Sequence, residues 1–288
     1  MFALPLAATL LPWRCSLRLM RFLSRWPGWY FNEVALSTAH AQRAGLAPDP
    51  AAFARRLRWR LLVDALDGFL VPMRSDRYLR RWMQASGDPL PERGPLMVVG
   101  THHGCGYWFL PYMRARGLPL NIVAPQLGPL LARSSLLENL FVRLRHKLIA
   151  RAGGRPMVYR GNAAEAIRQL LRRGEVSFGL ADMPTNRPDA VPVQLAGLPT
   201  RLAPNMFELA AAEGVPVYLF WSDTDLASGV RRVHFQRMPE ASTPQQQVEA
   251  FATMLDGLIR RDPTGWRFWS IAPSFFGSAL PEPPAPGR

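Results

Sequence analysis

The chain of 288 residues has only two cysteines, Cys15 and Cys105, which gives neither a disulfide framework nor a metal-ligand spacing and points to a reduced compartment. It has no Gly-rich P-loop, no dinucleotide fingerprint, no zinc pattern and no internal repeat, so the usual sequence grounds for a nucleotide-driven, zinc-dependent or solenoid protein are missing. No apolar run approaches the roughly 20 residues that a spanning helix needs. The longest candidate, residues 1–13, is broken by Pro5 and Pro12, and its basic residues follow the apolar stretch, whereas a signal peptide carries them ahead of it. The expectation is an in-plane or shallowly inserted anchor. Lysine is almost absent: Lys147 is alone, so nearly all of the 35 basic side chains are guanidinium groups. Histidine is scarce too, with five in the chain.

A net charge of +14 suggests an anionic partner, nucleic acid or acidic phospholipid. Position separates the two. Arg14, Arg18, Arg21 and Arg25 recur at helical spacing and share one narrow stripe, while Trp13, Leu17, Leu19, Met20, Phe22, Leu23 and Trp26 take the remaining surface. Such an element is basic, aromatic and amphipathic, which favours a membrane interface, and no nucleic-acid-binding module accompanies it. A second helix is expected from about Ala51 to Leu70, with Phe53, Leu57 and Leu61 on its apolar face; Arg55, Arg56, Arg58 and Arg60 then form a solvated or phosphate-facing side.

From Leu96 onward short apolar runs alternate with amphipathic helices, the pattern of an α/β domain whose central sheet is largely parallel and flanked by helices. Strands are expected at 96–100, 119–124, 176–181, 215–221 and 232–236. Helices are expected at 163–173, at 204–213, and after Thr243, where Pro244 and Gln246 complete a capping-box spacing. The domain reading is a basic helical membrane-associated region at 1–90, an α/β domain at 91–275, and a loose Pro-rich tail at 276–288.

The strand at 96–100 runs into Thr101-His102-His103-Gly104-Cys105-Gly106-Tyr107-Trp108. Histidine titrates near neutrality, and a glycine-rich strand exit lets a substrate approach the backbone, so this is where a general base is expected. A histidine at a strand end is equally often a half-buried residue satisfied by a backbone carbonyl. Cys105 in the same loop reads as a small residue that fits, or as a nucleophile.

These elements together resemble the lysophospholipid acyltransferase superfamily, in particular its bacterial lipid A late acyltransferase branch. The likeness lies in the basic apolar N-terminal segment, in 100–104 standing where the family has the start of its H-x-x-x-x-D/E motif, in 157–162 followed by a helix and 174–182, in 191–201, and in the Pro-x-x-Trp segment within 262–269. The resemblance implies transfer of an acyl chain from an acyl carrier protein or coenzyme A thioester to a hydroxyl or amine of a lipid or glycolipid acceptor. It implies no metal and no cofactor beyond the donor, and a peripheral or monotopic place on the inner face of a bacterial inner membrane. His102 aligns with the family base, with His103 beside it, and Gly104, Arg160, Gly161 and Arg201 fall at positions that bind substrate. The family carboxylate is missing: Tyr107 stands five residues after His102 and Trp108 five after His103. Either Tyr107 orients the imidazole or Asp182, at another strand end, supplies the charge. The same gap admits a second expectation, a catalytically degenerate relative that only binds lipid or acyl carrier protein.

Overall fold

A computed structural model describes residues 3–104, 107–124, 136–159, 161 and 163–282. Five helices come first: α1 (Ala3–Ala8), α2 (Trp13–Leu23), α3 (Phe31–Arg43), α4 (Pro50–Met73) and α5 (Asp76–Arg81). The long α4 starts where Asp49 accepts from the Ala52 amide at 2.9 Å with Pro50 in its first turn, and it runs a turn beyond the expected end. Among the described residues no helix is long and apolar enough to cross a membrane.

The α/β part follows as β1 (Met83–Gly87), β2 (Leu96–Gly100), α6 (Phe109–Ala115), β3 (Leu120–Ala124), α7 (Leu136–Gly153), β4 (Val158–Tyr159), α8 (Ala163–Arg172) and β5 (Val176–Leu180). A hairpin of β6 (Val191–Leu195) and β7 (Leu198–Leu202) comes next, then α9 (Asn205–Ala212), β8 (Val217–Thr224), β9 (Arg231–Arg237) and α10 (Pro244–Arg261). Seven strands form one sheet in the order β1-β9-β8-β2-β5-β3-β4, parallel throughout except between β8 and β9. The architecture is therefore α/β, with a mostly parallel central sheet between helical layers. β2 is buried along its whole length, as a central parallel strand covered on both faces must be. The expected cap of α10 is in place: Thr243 Oγ1 accepts from the Gln246 amide and Gln246 Oε1 from the Thr243 amide.

The segment 191–201 is the antiparallel β6–β7 hairpin. Two expectations need correction. The boundary at residue 90 falls inside one structure: β1 pairs with β9 at the sheet edge, and Val34, Phe53, Leu57 and Leu61 share a buried cluster with β2, α9 and α10. The N-terminal helices are thus a layer of the fold. The tail is packed as far as Leu280, which is buried and whose carbonyl accepts from Arg43; residues 283–288 lie outside the described ones.

Two of the α4 arginines also differ from expectation, because they are buried ties. Arg58 donates to the Ser24 carbonyl at 2.8 Å and Arg60 to Thr264 Oγ1 at 3.0 Å and to Asp262. A third tie is deeper. Arg231 on β9 and Asp67 on α4 form a fully buried bidentate pair at 2.6–3.1 Å, and the Arg231 guanidinium rests against the rings of both Trp13 and Trp108, 4.5 and 4.9 Å from their centroids, while the two indoles also touch each other at 5.9 Å. Desolvating two charges is costly, but leaving one of them buried alone costs more. Replacing Arg231→Met should therefore lower unfolding stability by about 3–5 kcal/mol in urea titration. The double variant Asp67→Leu/Arg231→Met should recover much of that loss; a double variant as unstable as the sum of the singles would contradict this account.

Candidate active site

In the parallel pairing of β2 with β5, Gly100 lies opposite Leu180. His102 and Asp182 are each two residues beyond that pair, so the register alone brings them to the same height at the carboxyl end of the sheet, where open α/β folds bind ligands. Ala181 continues the ladder by donating to the Gly100 carbonyl at 3.0 Å. The His102 imidazole then donates from Nδ1 to Asp182 Oδ1 at 2.7 Å, while the His102 amide donates to Asp182 Oδ2 at 2.8 Å. Trp266 Nε1 donates to the same oxygen at 3.3 Å. Asp182 is wholly buried and the His102 side chain is 27% exposed. A carboxylate held by three donors behind a ring that reaches the surface fixes both the tautomer and the orientation of that ring, with Nδ1 protonated.

The segment 262–268 closes the other side. The Arg267 amide donates to the His102 carbonyl at 3.1 Å, and the Phe268 ring lies 4.3 Å from the imidazole centroid. Arg267 itself pairs with Asp64 at 2.8 Å and Glu33 at 3.7 Å, linking α3 and α4 to the site. A cavity of about 300 Å³ is lined by this charged cluster together with Phe69, Leu144, Leu148 and Tyr107. Tyr30 also lines it, and burial pushes its hydroxyl pKa up to about 12.

The remaining candidates divide. His103 is a structural residue, contrary to the catalytic role expected of it: it is 3% exposed, and Nε2 donates to the Asp262 carbonyl at 3.0 Å. Gly104 takes φ of +74° against Ser222, where a Cβ would lie 2.1 Å from the Ser222 carbonyl oxygen. Its amide donates to the Gly265 carbonyl at 2.9 Å, so that backbone donor is taken. Tyr107 packs near Gly68 with the Arg145 guanidinium 5.4 Å from its ring centroid; the nitrogen it was expected to orient, Nδ1 of His102, is held by Asp182. Arg201 is exposed on β7 and donates to the Pro188 and Ala190 carbonyls, bracing the loop that follows Asp182. Gly161 is in an exposed turn; Arg160 and Cys105 lie outside the described residues. Trp266 and Phe268 were not singled out as site residues, although the Pro-x-x-Trp segment that carries them was visible. Among the described residues no cluster of three or more His, Cys, Asp or Glu side chains could hold a metal ion. Neither a scan against protein-family models nor a search of curated proteins finds a match to this chain.

Burial pushes the His103 pKa below its ordinary value; the Asp262 carbonyl and the nearby Asp262 and Asp223 carboxylates oppose that shift, and Arg60 adds to it. The unfolded chain therefore takes up a proton at this position, near pH 6.5, before the folded one does. The stability contributed by neutral His103 is complete above that pH and is lost as pH falls below about 6.5. His146 and His234, both shifted down chiefly by burial, add slopes of the same sign. Denaturant titrations of the parent and His103→Gln should thus converge between about pH 6.5 and 5. A stability difference independent of pH would show that His103 does not titrate on unfolding.

Proposed function

We propose that this protein is an acyltransferase of the lysophospholipid acyltransferase type, moving an acyl chain from an acyl carrier protein or coenzyme A thioester to a hydroxyl or amine of a lipid or glycolipid at a membrane surface. The observation that carries the reading is the His102–Asp182 pair: a half-open imidazole whose Nδ1 is fixed by a buried carboxylate at the carboxyl end of a parallel sheet. Nε2 of His102 removes the acceptor proton as its oxygen attacks the thioester carbonyl; the tetrahedral intermediate collapses, the carbon–sulfur bond breaks, and the imidazolium returns the proton to the departing thiolate. Asp182 stabilises the imidazolium and holds the ring, the part that the resemblance gives to a residue five places after the histidine. A buried carboxylate beside His102 supports the catalytic reading over that of a degenerate, binding-only relative, which was suggested by the carboxylate missing from the motif.

The cavity lined by Tyr107 and Arg267 suits an apolar chain with a polar end, since its lining combines Leu61, Phe69, Leu144 and Leu148 with Asp64, Glu33 and Arg267. Peripheral membrane attachment is supported by large apolar side chains left exposed on the first helices and their connections, among them Leu10, Phe22, Trp26 and Phe31. Purified protein given acyl thioesters and a hydroxyl-bearing lysolipid in mixed micelles should release free thiol and yield an acylated lipid detectable by mass spectrometry. His102→Ala should lower kcat/KM by about 10²–10⁴-fold. Asp182→Asn should lower kcat over a similar range, about 10²–10⁴-fold, with little change in KM, because it disturbs the tautomer and leaves the binding surface alone. Turnover unchanged in His102→Ala would remove this histidine from the mechanism.

A further inference from the structure

Arg14, Arg18 and Arg21 on α2 and Arg25 just beyond it have no carboxylate partner among the described residues, whereas exposed arginines such as Arg172, Arg187 and Arg260 each have one. Three of them, Arg14, Arg18 and Arg21, line a groove of about 490 Å³ whose opposite side is made by Trp59, Trp82 and the turn through Ser228. The Arg21 guanidinium stands 5.4 Å from the Trp59 ring centroid. Asp225 is the carboxylate of that turn, and it is already engaged by the Ala227 and Ser228 amides, the Ser228 hydroxyl and Arg232. The groove therefore presents unneutralised guanidinium groups to whatever enters it.

Its walls are held in place. Trp13, Leu17 and Met20 of α2 are buried beneath the basic stripe, and the helix lies directly on the turn before β9. Gly229 there has φ of +78°, and a Cβ on it would fall 2.2 Å from Leu17 Cδ1. The groove is also at the catalytic end of the sheet. The turn leaves the end of β8, which runs parallel to β2, and Trp82 enters β1 level with the start of β9. At about 4.8 Å per strand, the groove stands about 10–15 Å across the sheet from His102. On the outward side of α2, next to the basic stripe, Phe22 and Trp26 are about half exposed and pack edge to face at 5.2 Å. A soluble anion has no use for that aromatic pair, whereas a bilayer takes it up at the level of the headgroups.

We propose that this groove binds the phosphate of an anionic phospholipid headgroup and so seats the catalytic end of the sheet on the bilayer. The inference rests on the reading of the protein as one that works on lipids at a membrane, and it adds a specific headgroup site apart from the acyl-transfer centre. The test is flotation of the full chain, without acyl donor, on phosphatidylcholine vesicles with and without phosphatidylglycerol. Each arm is repeated with dihexanoyl-phosphatidylglycerol or inorganic phosphate as competitor. Binding should need phosphatidylglycerol, and short-chain lipid should displace it far better than inorganic phosphate at equal ionic strength.

The groove variant R14Q/R18Q/R21Q should lose about 100-fold in partitioning, the product expected if each arginine near the surface contributes about fivefold. The charge-matched variant R55Q/R77Q/R93Q, altered at exposed positions outside the groove, should lose less than about threefold. Arg18→Glu alone serves where the triple variant folds poorly, and should lose at least about tenfold. Equal losses in the two triple variants would mean diffuse attraction and overturn the site; displacement by inorganic phosphate as readily as by lipid would overturn the headgroup assignment. His102→Ala floated alongside separates the two readings. Lost acyl transfer with intact, groove-dependent flotation removes the enzymatic proposal alone, and groove-independent flotation with intact transfer removes this one.

Discussion

The register between β2 and β5 is the constraint on which the site depends. In a parallel pair, residues equally far beyond a matched position emerge side by side, and with Gly100 set against Leu180 the next such positions are His102 and Asp182. A slip of one residue would turn every side chain of β5 to the opposite face and carry the carboxylate away from the imidazole. What prevents the slip is the burial of β2 on both faces and of Val176, Ser177, Phe178 and Gly179 beside it. The packing that stabilises the sheet is thus the same packing that aligns an imidazole with its carboxylate, and the cost of a buried Asp182 is met by the donors that surround it.

The segment 262–269 acts as the strut that turns this alignment into a site. Trp266 reaches Asp182, the Arg267 amide takes the His102 carbonyl, Phe268 covers the ring, and the Asp262 carbonyl holds His103. The strut is in turn gripped by α4. Arg60 and Arg56 engage Asp262, Asp64 engages Arg267, and the Thr264 hydroxyl accepts from Arg60 and donates to Asp262. The Asp262 carboxyl is held down to about pKa 2 despite its burial, through Arg60, the Thr264 hydroxyl and Arg56, so this grip stays charged well into acid. The helical layer before β1 is therefore part of the machinery that shapes the sheet end.

Much of this was legible in the chain, for physical reasons that differ by element. The strands 96–100 and 176–181 stood out because buried parallel strands read as unbroken apolar runs, and α10 because its cap, proline and apolar face agree. The exit at His102 was legible because an apolar run meets two histidines among glycines. The partnership with Asp182 was open as one of two choices, since pairing register is a tertiary property: two strand ends were visible, but nothing local says which residues of each run face one another. The resemblance made His102 the base, but for the same reason the interior place of His103 was not legible. His102 and His103 differ by one step in an extended segment, and which of them meets the interior follows from the strut 160 residues away. The edge strand Met83–Gly87 was missed because Gln84, Ala85 and Ser86 carry little β-propensity; it is held by pairing with β9.

Charge shows the same separation between what composition gives and what packing decides. A surplus of +14 suggests an anionic partner without saying where it binds, because the chain uses many guanidinium groups internally. Arg231 is sealed against two indoles and Asp67, Arg60 and Arg58 tie α4 to distant carbonyls and carboxylates, and Arg201 braces a loop. Once these are set aside, the α2 stripe remains as a run without carboxylates among the described residues, on a helix whose inner face is fixed by Trp13 against Arg231. That indole–guanidinium contact continues to Trp108, one residue from Tyr107 at the cavity mouth. Trp13 and Trp108 also touch each other, with centroids 5.9 Å apart, so the basic helix and the residue that follows the histidine loop share one buried guanidinium, and a displacement of the helix would have to disturb the packing of Trp108.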